Sequence, residues 1–118
     1  IPGFVTRHGA PVMSFGVMGG AMQTQGHLQF LSRLGDFDQE PQSICDAPRF
    51  MLSPTDGVVN VEAHMPRDVA NLLAARGHCM QTLPTGHLTF GSAQLISRVG
   101  NNYCAVSDPR RDGIAAGF

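Results

Sequence analysis

The 118-residue sequence predicts an α+β layered fold, and three observations carry that expectation. Short β-favouring runs are broken by Gly, Pro and Asn turns, helical spacing is confined to a few stretches, and the two kinds of element mix without strict βαβ alternation. A single domain is expected, because a chain of this length buries roughly two-thirds of its unfolded surface, enough for one core. No internal repeat and no low-complexity linker divides it.

The runs Phe4–Thr6 and Val12–Val17 flank Arg7-His8-Gly9-Ala10-Pro11, which predicts a hairpin. The second run is nearly all apolar or small, as suits a strand covered on both faces. After Gly19-Gly20, Leu28, Leu31 and Leu34 recur at helical spacing beside Phe30, predicting a helix over 21–34 that Gly35 ends. Asp38 is placed to cap a second short helix through Cys45, with Pro41 in its first turn and Pro48 stopping it. Arg49–Leu52 and Val58–Glu62 read as strands around the turn-rich Ser53-Pro54-Thr55-Asp56-Gly57. Pro66 at the first helical position, Gly77 beyond the last, and the stripe Val69, Leu72, Leu73 define a third helix. Cys79–Leu83, Leu88–Phe90, Ala93–Val99 and Tyr103–Val106 read as strands, the last two joined by the turn Gly100-Asn101-Asn102.

Apolar residues make up 42% of the chain and charged residues 14%, against a usual quarter or so of charge. So thinly charged a surface implies that part of it normally faces other protein. A formal charge of -1 argues against nucleic acid and anionic membrane as partners, since both need clustered cations. All eight cations are arginines, suited to forked contacts with carboxylates. Cys45, Cys79 and Cys104 show no zinc-ligand spacing, so buried or free thiols are expected, with no metal and no cofactor. No apolar run reaches the ~18 residues of a membrane span, and no leader opens the chain. The compartment, cytoplasm or periplasm, is left open.

The segment that suggests chemistry is a strand over 12–17, then Met18-Gly19-Gly20, then a helix. Glycines there let backbone approach a ligand, and the helix start leaves N–H groups without partners. In acyl transfer the developing oxyanion needs donors fixed in advance, and two adjacent amides supply them at about 3 kcal/mol each. A Gly-Gly between strand and helix, taken alone, is a weak signal that reads more readily as a bare turn.

Gly16-Val17-Met18-Gly19-Gly20 with Gln23, Gln25 and His27, then Ala47-Pro48-Arg49-Phe50, Val61-Glu62, Gly77-His78, Phe90-Gly91-x-Ala93-Gln94-x-Ile96 and Asp108-Pro109-Arg110-x-Asp112-Gly113, resembles the C-terminal part of the γ-glutamyltransferase small subunit. These motifs span nearly the whole chain in order. The resemblance implies part of an αββα sandwich of N-terminal-nucleophile hydrolase type. It implies a Thr nucleophile upstream of Ile1, Gly19 and Gly20 as the oxyanion hole, and Met18 and Gln23 beside the substrate. It further implies γ-glutamyl transfer or hydrolysis on a small glutathione-like donor by the intact protein, with a fragment that is inert alone. The missing N-terminal part or large subunit is then the expected partner, and the excised fragment is expected to self-associate.

The family's usual run is Gly-Ser-Pro-Gly-Gly, where this chain has Val17 and Met18, and Ala21 stands where a related subgroup commonly has an acid. Two alternatives accompany the γ-glutamyl reading: amide hydrolysis of another acyl donor, as in cephalosporin acylases, and a non-catalytic structural or binding domain. Asp108–Gly113 reads either as an anion clamp or, preferably, as a turn whose arginines pair with Asp108 and Asp112. Arg49 is expected in an interior or interface ion pair, and His27 in packing and hydrogen bonding within the protein rather than as a base.

Overall fold

A computed structural model describes residues 1–117. Strands β1 (Pro2–Arg7) and β2 (Ala10–Met18) form the expected hairpin, closed by His8 and Gly9, both at positive φ. Two such residues match the right-handed twist of the flanking strands. Pro11 lies inside β2 because it sits at the irregularity next to Val5/Thr6, beyond the stretch Met13–Met18 that pairs with a second neighbour.

Helix α1 (Met22–Gly35) follows, then α2 (Pro41–Asp46), β3 (Phe50–Leu52), β4 (Val59–Glu62), α3 (Arg67–Ala75) and β5 (Met80–Leu83). After a 3₁₀ turn over Leu88–Phe90 come β6 (Ser92–Val99) and β7 (Asn102–Ser107). Two expectations are corrected. Asp38 does not cap α2: it takes φ 49, the left-handed region that Asp tolerates, and Glu40 occupies the cap without a side-chain bond. Leu88–Phe90 is not a strand, because His87 Nδ1 accepts the Thr89 N–H and winds the segment into a turn.

The first sheet runs β1-β2-β6-β7, antiparallel throughout; the second runs β3-β4-β5, with β4 and β5 parallel across α3. The alternate residues Met13, Phe15, Val17, Ala93, Leu95 and Val106 face Phe30 of α1 and Ile44 and Cys45 of α2, forming the core. Gly26 permits that approach, since a Cβ there would fall on the Val17 side chain. The other face of the first sheet presents Phe4, Ile96 and Tyr103, 65%, 53% and 76% exposed. One face of this sheet is therefore packed and the other open.

Candidate active site

At the end of β2 the chain turns sharply through Gly19 (φ 126) and Gly20 (φ 59), conformations that disfavour side chains. The carbonyls of Gly19 and Gly20 accept the Met22 and Gln23 amides at 3.0 and 3.1 Å and so start α1, whose cap position, Ala21, makes no side-chain bond. The amide hydrogens of Gly19 and Gly20 donate to no group among the described residues. A Cβ on Gly20 would meet nothing within 4 Å. Beside this corner lies a hollow of about 310 Å³ lined by Ile1, Pro2, Gly16, Val17, Met18, Gln23 and Ser92. Met18 and Gln23 thus share one wall, and Gln23 Oε1 accepts from the Ile1 nitrogen.

His27, one turn into α1, ties helix to strand. Its Nε2 accepts the Val17 N–H at 3.0 Å and its ring lies 4.8 Å from that of Phe15. Burial lowers its pKa below the ordinary 6.5, so the ring is neutral with the proton on Nδ1. A nitrogen already accepting a backbone N–H cannot serve as base. Gln25 and Gln29 use both ends of their amides on β3: Gln25 bonds Leu52 N and O at 2.8 and 2.9 Å, Gln29 bonds Phe50 N and O at 3.2 and 2.8 Å. Since Met51, between them, faces β4, the two glutamines stand in for a missing strand along the free edge. Sequence reasoning missed this role, although the i, i+4 spacing of the two amides was visible.

Behind the glycines lies a buried ion network. Arg49 Nη2 reaches Asp108 Oδ2 at 2.6 Å, and Arg110 bonds Asp108 Oδ1 at 3.1 Å and both oxygens of Glu62. Arg110 also donates to the carbonyls of Cys45 and Ala47 at 2.7 and 2.9 Å, which fully occupies its guanidinium. An anion clamp is excluded at Arg110, and the structural reading of this segment holds for Asp108. It fails for Asp112: Arg111 donates to the Arg110 carbonyl instead. Burial tends to raise the Glu62 and Asp108 pKa values, but it is outweighed, by Arg110 and the Arg49 and Gly86 amides at Glu62, and by Arg49 and the Arg110 and Ala93 amides at Asp108. Both carboxylates are held below their ordinary range.

Gly91 has φ 62, and a Cβ on it would land on the Met18 carbonyl oxygen; a Cβ on Gly19 would lie 3.0 Å from Gly91 Cα. The turn at 90–93 and the corner at 18–20 therefore interlock backbone to backbone. The three cysteines are free, Cys45 buried and Cys79 and Cys104 exposed. No helix among the described residues is long and apolar enough to cross a membrane, and no cluster of three or more metal-ligating side chains occurs among them.

Known proteins share this fold. A solved cephalosporin acylase from Bacillus halodurans superposes with a TM-score of 0.91 at 39% identity, covering 99% of this chain and 22% of that one. A γ-glutamyltranspeptidase from Pseudomonas nitroreducens, solved with L-DON, gives 0.86 at 25% identity, covering 100% of this chain and 61% of that one. The glutathione hydrolase-like YwrD proenzyme of Bacillus subtilis (strain 168) is 26% identical across 100% of this chain, which spans 23% of its length. The relatives are thus larger proteins that this chain matches in part, and its two layers, helices on one packed sheet face with the other face open, correspond to part of an N-terminal-nucleophile hydrolase. The gamma-glutamyltranspeptidase family model matches residues 1–118, and the chain belongs to that family.

Proposed function

We propose that the intact protein transfers or hydrolyses an acyl group, γ-glutamyl from a glutathione-like donor, and that Gly19 and Gly20 supply its oxyanion hole. The supporting observation is the pair of consecutive amide hydrogens without acceptors, at a glycine corner that opens beside a hollow. As a nucleophile adds to the donor carbonyl, charge gathers on its oxygen, and donors already aimed there cost no reorganisation. Met18 and Gln23 line the wall along which the donor would lie. The nucleophile, a Thr by resemblance, and the donor's carboxylate ligands belong to the upstream part, so this segment alone is inert. The upstream part is its partner.

The test is turnover of a γ-glutamyl anilide by the intact protein carrying Gly20→Ala or Gly20→Pro. Ala keeps the amide hydrogen and has free space for its methyl, so its loss is limited to about 1 kcal/mol of left-handed strain. Proline removes the hydrogen and, with its ring fixed at a φ of about −65°, also forces the corner out of its φ of 59, so it is expected to lower kcat by at least roughly 10²- to 10³-fold. Equal activity of the two variants would end the oxyanion assignment.

A second reading, amide hydrolysis of another acyl donor, is favoured by the 39% identity to the cephalosporin acylase and by apolar Val17 and Met18 ahead of the glycines. Assaying a cephalosporin side-chain amide in parallel decides between the two. A folded, processed protein inactive on both would instead be a scaffold without chemistry.

A further inference from the structure

We propose that Gly91 is a positioning residue for the oxyanion donors, held in place by Arg49 and Asp108; this rests on the oxyanion reading of Gly19 and Gly20. The Met18 carbonyl and the Gly19 N–H belong to the same rigid amide and point in opposite directions, so whatever fixes the oxygen aims the hydrogen.

Gly91 gives that oxygen its place, beside Ser92, which pairs with Met18 across the sheet. The Met18 carbonyl occupies the place where a Cβ of residue 91 would stand, and Gly91 Cα in turn fills the space beside Gly19. With any side chain at 91 the Met18–Gly19 plane must rotate, carrying the Gly19 hydrogen off its line. The left-handed φ of 62 at Gly91 adds strain to the same substitution.

Gly91 needs its own anchor, because it lies in a short 3₁₀-to-strand turn. Both ends of that turn are tied to the buried ion network. Arg49 Nη1 donates to the Phe90 carbonyl at 3.2 Å, and the Ala93 N–H donates to Asp108 Oδ2 at 2.7 Å, the oxygen that also takes Arg49 Nη2. Asp108 and Arg49 are 0% and 5% exposed, so water offers little replacement for these bonds. The chain of fixation therefore runs from the Arg49–Asp108 pair through residues 90–93 to the Gly19 amide, without any of these side chains touching substrate.

The experiment compares Gly91→Ala, Arg49→Lys and Gly20→Pro in the intact protein. It measures kcat per nucleophile titrated with a covalent inhibitor, KM for the γ-glutamyl anilide, and the Ki of a boronate analogue that mimics the tetrahedral adduct. Gly91→Ala is expected to lower kcat about 10²-fold, to weaken the boronate by a similar factor, and to leave KM within about threefold. A merely structural defect lowers the number of titratable sites and leaves the boronate Ki per folded site unchanged. Should Gly91→Ala not fold, Arg49→Lys keeps the glycine and a cation facing Asp108, gives up the fork that reaches the Phe90 carbonyl, and is expected to lower kcat and boronate affinity together by about tenfold.

If Gly20→Pro loses the boronate while every folded anchor variant keeps its affinity within about threefold, the positioning role is refuted and the oxyanion hole stands. If Gly20→Pro itself keeps kcat and boronate affinity, the oxyanion reading fails and the positioning role fails with it.

Discussion

Replacing Glu62 by glutamine, nearly the same size and shape, isolates what the buried network contributes. Glu62 is fully buried. Its Oε1 accepts from the Gly86 amide at 3.1 Å and Arg110 Nε at 2.8 Å; its Oε2 accepts from the Arg49 amide at 2.9 Å and from Arg110 Nη2. All four contacts are donors, so whichever way the glutamine amide is turned, its NH₂ faces one backbone N–H and one guanidinium N–H. Two donors lose their acceptor at about 1–3 kcal/mol each, and the loss of charge leaves Asp108 alone against two arginines. The sum, about 3–5 kcal/mol, equals the usual cost of breaking a buried ion pair from one side. With a urea slope of about 2 kcal/mol per M, the unfolding midpoint at pH 7 is expected to fall by about 2 M with the slope unchanged. Circular dichroism on the two proteins in parallel reads this directly. A midpoint shift below about 0.5 M would mean that water screens these contacts, and the reasoning about the network would be wrong.

The same carboxylates set an acid limit: with folded pKa values lowered, their contribution is complete above the ordinary values of 4.5 and 3.8 and is lost as pH falls through the lowered ones, so the share of the unfolding midpoint that disappears in Glu62→Gln should be constant above about pH 4.5 and shrink below it. His27 has a lowered folded value too, so its contribution is full above 6.5 and is lost as pH falls through that lowered value; ring nitrogen NMR should find a neutral Nδ1–H form at pH 6.5, and a charged ring there would contradict the Val17 bond. Exchanging Gln25 and Gln29 together for leucine should destabilise by about 1–3 kcal/mol and speed amide exchange at Phe50 and Leu52 ahead of Met51. Cys79 and Cys104 should react with a thiol reagent in the native protein, whereas Cys45, buried and with its pKa pushed up to about 11, should react only on unfolding.

Periodicity locates α1 within a residue or two but does not single out its face. Of the residues that carry the expectation, Phe30 and Leu34 pack on the core with Met22 and Gly26, whereas Leu28 and Leu31 are 67% and 40% exposed. Hydrophobicity gives glycine no weight, yet Gly26 decides the face by letting the helix settle on Val17. In α3 the stripe is present, but no residue of it is buried by this chain. The Leu88–Phe90 segment illustrates the opposite limit: β-favouring residues were overridden by a histidine cap and a glycine that must yield space to Met18. The glycine corner was legible because strand, Gly-Gly and helix lie adjacent in sequence. The Gly91 contact, more than seventy residues away, had no local signal.

The buried charges also differ in kind from an isolated ion pair, which packed apolar side chains can often replace without loss. Glu62 and Asp108 accept from the amides of Arg49, Gly86, Ala93 and Arg110, while the two arginines donate to the carbonyls of Cys45, Ala47 and Phe90. Those backbone groups come from the end of α2, the start of β3, the loop after β5, the turn before β6, the second residue of β6 and the tail after β7, most of them where short elements end. Apolar replacements would leave all of them without partners in the interior, each at a cost that packing area does not recover. Charge is retained here because two forked arginines and two carboxylates serve more backbone groups per unit volume than any neutral set. The corner that holds Gly19 and Gly20 packs against this cluster's neighbour Gly91, so under the oxyanion proposal its rigidity would come from residues more than seventy positions away in sequence.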